Sequence, residues 1–146
     1  MKFFGLPLAI LTALQLQYAA ADMYIYQSQD TMSGTGADIY NFFTGHPSCN
    51  DVNSATNYMG RDDVSGRRSG VNCDGSGCWN GNPNDITRLE MNTKFGHMTI
   101  YKDRGWKMYD GDRVMGYCKA SRDDDFLCGP WGRSGFMLFY CQTSVM

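Results

Sequence analysis

Glutamate is nearly missing from this 146-residue chain: Glu90 stands alone against fourteen aspartates, and beyond Ala21 only Ala37, Ala55 and Ala120 remain of the best helix former. With both residue types scarce, and aspartate, asparagine and 17 glycines drawing the backbone into turns, long helices are excluded. Apolar runs of membrane-spanning length are also lacking. The longest beyond the first 21 residues, Gly135-Phe136-Met137-Leu138-Phe139-Tyr140-Cys141, is strand-sized, so no membrane anchor is expected. No Asn-x-Ser/Thr acceptor occurs, which rules out asparagine-linked glycosylation. Histidines number two, His46 and His97, and no Gly-x-Ser-x-Gly elbow is present to activate a serine.

What the chain does have begins with a leader. Lys2 supplies a positive start, residues 3–16 an apolar stretch too short to span a bilayer, and Ala19-Ala20-Ala21 the small residues a signal peptidase cuts after. Residues 1–21 are therefore expected to be an export signal, and 22–146 a single secreted, extracellular domain. Removing Lys2 with the leader leaves 12 basic against 15 acidic residues, a formal charge near −3. That mild excess keeps the chain soluble and argues against electrostatic capture of nucleic acid.

All six cysteines, Cys49, Cys73, Cys78, Cys118, Cys128 and Cys141, follow the leader. An even set in an oxidising compartment reads as three disulfides, with 15 possible pairings for six half-cystines. Cys73 and Cys78 bracket Asp74-Gly75-Ser76-Gly77, either as a small closed ring or as two anchors to the body.

Residues 23–26 read as a strand. Ser48 or Asn50 caps a short helix carrying Val52, Ala55 and Tyr58, and residues 60–83 read as loop. The last third holds five strand-length runs, at 86–91, 97–102, 106–109, 114–118 and 136–141, separated by glycine-bearing turns. Asp110-Gly111 is the strongest hairpin signal, as a type I′ turn. The expected fold is mainly β, a small antiparallel sandwich or rolled sheet with one or two short helices, stapled by disulfides; α+β is the alternative.

Candidate chemistry is sparse. His46, Glu90, His97 and Arg113 are the residues from which a general base, a general acid and a phosphate-binding cation can be drawn. Gly111-Asp112-Arg113-Val114 is similar to the arginine-bearing strand of the guanyl-specific microbial ribonucleases, and implies RNA cleavage by Glu90, His97 and Arg113; that family carries a further histidine after this strand, which is absent here. Asn50-Asp51-Val52-Asn53-Ser54 resembles the calcium motif of βγ-crystallin domains, implying calcium on Asn50, Asp51 and Ser54, and Tyr101-Lys102-Asp103-Arg104-Gly105-Trp106 resembles their aromatic hairpin, although Ala55 and Met108 depart from the pattern. Asp123-Asp124-Asp125 reads as a solvated loop.

Trp79 and Trp131 stand among glycines, prolines and asparagines, each near a cysteine that stiffens its loop, and are the expected binding residues. Arg67-Arg68, a dibasic pair in a glycine-rich loop, is a candidate processing site beside Ala21. If the chain is cut there, Cys49 alone lies before the cut, so complete pairing joins the halves through Cys49. Leader, size and cysteines together resemble the small secreted cysteine-rich effector and toxin-type proteins of fungi. The resemblance implies a non-enzymatic monomer without a cofactor that binds a host or competitor protein or a surface glycan.

Overall fold

The computed structural model describes residues 20–30, 38–130 and 132–146. The expected leader lies outside them apart from Ala20 and Ala21. Ten strands form one antiparallel sheet: β1 (Ala21–Asp30), β2 (Ile39–Phe43), β3 (Tyr58–Met59), β4 (Gly70–Asp74), β5 (Arg88–Thr93), β6 (Gly96–Tyr101), β7 (Lys107–Asp110), β8 (Arg113–Ala120), β9 (Asp125–Leu127) and β10 (Arg133–Thr143). Their order is β3-β2-β1-β10-β8-β7-β6-β5-β4, with β9 paired to β10 off this path. The two short helices are α1 (Cys49–Ser54) and α2 (Gly77–Asn80). The mainly β, rolled and stapled architecture is the one the composition demands.

The sheet rolls until its end strands nearly meet. A single parallel bridge, Gly60 to Val71, joins the β3 side to β4, and the Arg61 amide donates to the Val71 carbonyl at 2.8 Å. Closure of this kind satisfies edge groups that would otherwise template aggregation. Gly70 makes the approach possible: its φ is +152°, and a Cβ there would sit 2.7 Å from the Met59 carbonyl oxygen.

Alternation along the strands fills the interior. Leu89 and Met91 on β5, Met98 and Ile100 on β6 and Met108 on β7 join Met23, Ile25 and Phe139 in one buried cluster. Arg88, Glu90 and Asn92 on β5, and His97, Thr99 and Tyr101 on β6, take the opposite face at period two. A second cluster, Tyr26, Phe43, Val52 and Met137, packs α1 against the outside of the roll. Helix α1 starts where a capping box closes it, the Ser48 amide donating to the Asp51 carboxylate at 2.8 Å and the Asp51 amide donating to the Ser48 hydroxyl oxygen at 3.3 Å.

All six cysteines are paired, as Cys49–Cys128, Cys73–Cys78 and Cys118–Cys141. The small closed ring is thus the arrangement adopted at Cys73 and Cys78. Cys49–Cys128 spans Arg67-Arg68, so a chain cut at that pair stays in one piece until reduced.

Several local expectations need correction. The segment at 60–83 contains β4 and α2, and the Asp run ends in β9. The helix stops at Ser54, and Tyr58 belongs to β3. In the β7–β8 hairpin Asp110 pairs with Arg113, so the turn residues are Gly111 and Asp112, one place later than expected. Only Gly111 has positive φ, at +57°, the arrangement of a II′ rather than a I′ turn.

Candidate functional site

Trp79 is 82 % exposed, the most exposed large hydrophobic residue among those described. Its position follows from the chain around it. The Cys73–Cys78 ring forces a reversal at Gly75, where φ is +106° and a Cβ would fall 2.3 Å from the Asp85 carbonyl oxygen. One turn of α2 follows, burying Cys78 beneath it and turning the next side chain, Trp79, outward. Gly81 ends the helix in the left-handed conformation at φ +70°. Side-chain amides then fix the exit: Asn80 Oδ1 accepts from the Asn82 amide at 2.8 Å, and Asn82 Nδ2 donates to Asp85 at 3.0 Å. The indole therefore stands on a covalently and polar-bonded turn, which lowers the ordering cost of binding.

Two clefts flank it at one end of the roll. One, of about 480 Å³, is lined by Arg61, Asp62, Asn72 and Asp74 together with Asp38 and Trp79. The other, of about 450 Å³, is lined by Gln27, Gln29, Arg122 and Phe136, again with Asp38 and Trp79. Both volumes lie within the usual span of small-ligand sites. Arg122 lies over the Phe136 ring at 3.8 Å and donates to the Gly81 carbonyl at 2.7 Å. Gln27 is 4 % exposed; its Nε2 donates to the Cys78 carbonyl at 3.1 Å, and its Oε1 has no hydrogen-bond partner among the described residues. A buried acceptor left so costs about 1–3 kcal/mol. Trp131, the other expected binding residue, lies outside the described residues.

The four candidate catalytic residues fall in three places. Glu90 and His97 meet: His97 Nε2 lies 2.8 Å from Glu90 Oε1, and Arg88 Nη1 donates to the other carboxylate oxygen at 2.8 Å. Arg88 Nε also donates to Asp74 at 2.7 Å, and that hydrogen bond holds the guanidinium pKa above its ordinary value. The register that brings them together, Asn92 opposite His97 and Glu90 opposite Thr99, makes His97 the diagonal neighbour of Glu90. His46 is elsewhere, with Nδ1 2.8 Å from Asp124 Oδ2 and its ring against Tyr24. Arg113 is held at the hairpin tip by Asp110 at 3.2 Å, with β6 and β7 between it and β5.

The calcium candidates serve α1. Asp51 caps its first turn, and the Ser48 hydroxyl keeps the Asp51 carboxyl below its usual range. Ser54 Oγ donates back to the Asn50 carbonyl at 2.9 Å. Among the described residues no group of three or more metal-type side chains is gathered.

Asp124 is the residue the sequence reading missed. It sits in the charge run expected to be solvated, yet it accepts from the buried Tyr26 hydroxyl as well as facing His46. Burial first, and then this bond to Asp124, push the Tyr26 phenol well above its ordinary pKa; burial does the same for Tyr40. A group whose pKa is raised on folding stabilises the fold fully below its unfolded pKa, near 10, and loses that contribution as pH climbs toward the folded value. An absorbance titration at alkaline pH should thus show both phenols ionising only together with loss of the folded near-ultraviolet signal. Ionisation of Tyr26 or Tyr40 in the folded state would contradict this.

Arg67 and Arg68 lie on an exposed turn that is tied down. Arg68 pairs with Asp63, and Asn92 Nδ2 donates to the carbonyls of Val64, Gly66 and Arg68 at 3.2, 3.0 and 3.1 Å. Ala21 opens β1 opposite Thr143.

Among the described residues no helix is long and apolar enough to cross a membrane. The chain matches no protein-family model, no curated protein and no solved structure.

Proposed function

We propose that this chain is an exported, disulfide-braced protein of the effector or toxin type, which acts by binding a host or competitor target outside the producing cell through its Trp79 face. The observation that carries this reading is an indole 82 % exposed on a turn closed by a disulfide. A folded chain gains nothing in stability from holding an indole in water, and a ligand that covers Trp79 would supply the burial the fold does not. Three crosslinks suit an oxidising medium.

The 2.8 Å contact between Glu90 and His97 favours a second reading, a secreted ribonuclease. Against it, both Glu90 oxygens are already engaged, Arg113 and His46 are tied to other partners, and neither cleft beside Trp79 is lined by Glu90 or His97.

The two readings part in one experiment. Binding of the oxidised protein to intact bacterial, yeast and plant cells should be lost in Trp79→Ala and kept in Glu90→Gln and His97→Ala, and RNA incubated with the protein should stay intact. RNA turnover that disappears on Glu90→Gln would replace the binding reading with the nuclease.

A further inference from the structure

Resting on that reading, we infer that the ligand at Trp79 is a neutral saccharide chain, one ring stacked on the indole and its neighbours seated in the two clefts. A pyranose presents C–H bonds on its faces and hydroxyls around its rim. The electron-rich face of an exposed indole attracts the first, and planar polar side chains set beside the indole bond the second. Such a combination occurs among the described residues at Trp79, which stands between clefts whose walls carry Gln27, Gln29, Asp38, Asn72 and Arg122.

Gln27 supplies the independent sign of a missing partner. It lines the second cleft while almost wholly buried, its Nε2 is committed to the carbonyl of Cys78, the residue before Trp79, and its Oε1 is unpartnered among the described residues. A ligand hydroxyl is the donor such an acceptor lacks. Asp38, shared by both clefts, is placed to take hydroxyls from units on either side of the stacked ring.

Charge selects the class. Asp38, Asp62 and Asp74 line the first cleft against Arg61, so a polyanion, whether nucleic acid or acidic glycan, meets net repulsion there. A protein hot spot is poorly served, because the other exposed large hydrophobics among the described residues, Met59, Val114, Tyr117 and Leu127, line neither cleft.

The test titrates the oxidised protein with soluble hexasaccharides of β-1,4-glucose, β-1,3-glucose, β-1,4-N-acetylglucosamine and α-mannose, and with heparin and RNA, by tryptophan fluorescence and calorimetry. At least one neutral hexasaccharide should bind. Trp79→Ala should weaken it by about thirtyfold or more, the effect of losing a hot-spot aromatic. Trp79→Phe should restore part of it, Gln27→Met should weaken it by several-fold, and Glu90→Gln should leave it unchanged. Binding of none of the four, binding of only heparin or RNA, or binding indifferent to Trp79→Ala overturns the inference. Cell capture separates this failure from failure of the wider reading. If Trp79→Ala abolishes capture, but protease treatment of the cells removes it and periodate oxidation does not, the saccharide is wrong and the binding face survives. If Trp79→Ala leaves capture intact, both fall.

Discussion

Replacing Cys49 and Cys128 together with serine should cost about 4 kcal/mol of stability and lower the thermal midpoint by about 10–20 °C. The pair is separated by 79 residues, against 23 for Cys118–Cys141 and 5 for Cys73–Cys78. Loop-closure entropy removed from the unfolded chain scales with the logarithm of that length, which gives about 4.5, 3.4 and 2.1 kcal/mol respectively. The native contacts nearby are modest by comparison: α1 buries only Val52, against Tyr26, Phe43 and Met137. Denaturant unfolding of the three double-serine variants should rank in the order of loop length. A Cys49/Cys128 variant as stable as the parent would mean that the unfolded chain is already compact across this span.

Gly70→Val should open the roll at its seam and destabilise it by about 3 kcal/mol or more. Two penalties add there. The backbone at φ +152° is unfavourable for a residue with a branched Cβ, and the new atom would lie 2.7 Å from the Met59 carbonyl, a backbone group that cannot swing aside. The ladder it disturbs is thin, a single bridge with the Arg61 amide bonded to Val71. Hydrogen exchange should accelerate first at the Arg61 amide, while amides in the β5–β6 ladder keep their protection. Uniform loss of protection would show that the seam is not a separate unit of opening.

The strands from β5 to β8 and β10 were legible as strand-length runs between glycine-bearing turns, and β6 also shows the period-two alternation of a half-buried strand, Met98 and Ile100 against His97, Thr99 and Tyr101. Strands β4 and β9 were not, since Gly70-Val71-Asn72-Cys73-Asp74 and Asp125-Phe126-Leu127 are short and made of residues that favour turns. They are strands because β5 and β10 offer them backbone partners, information that local propensity does not hold.

The candidate site divides in the same way. Trp79 was legible from its cysteine and glycine neighbours. The Glu90–His97 contact depended on a register that only the finished β5–β6 pairing supplies. Asp124 reaches Tyr26 across 98 positions of sequence, and no local pattern marks it off from the aspartates on either side. The flanking clefts are likewise assembled from β1, β2, β4, β10, α2 and the loops around Arg61 and Arg122, so their lining is invisible to any window along the chain.

Of the three crosslinks, Cys49–Cys128 is the one with a sulfur-bearing residue exposed at the surface, whereas Cys78 and Cys141 lie buried at 3 % and 0 %. Glutathione thus reaches first the brace on which persistence most depends. Redox surroundings thereby become a control on the fold: an oxidising medium keeps this brace closed, and a thiol-rich one would open it ahead of the other two.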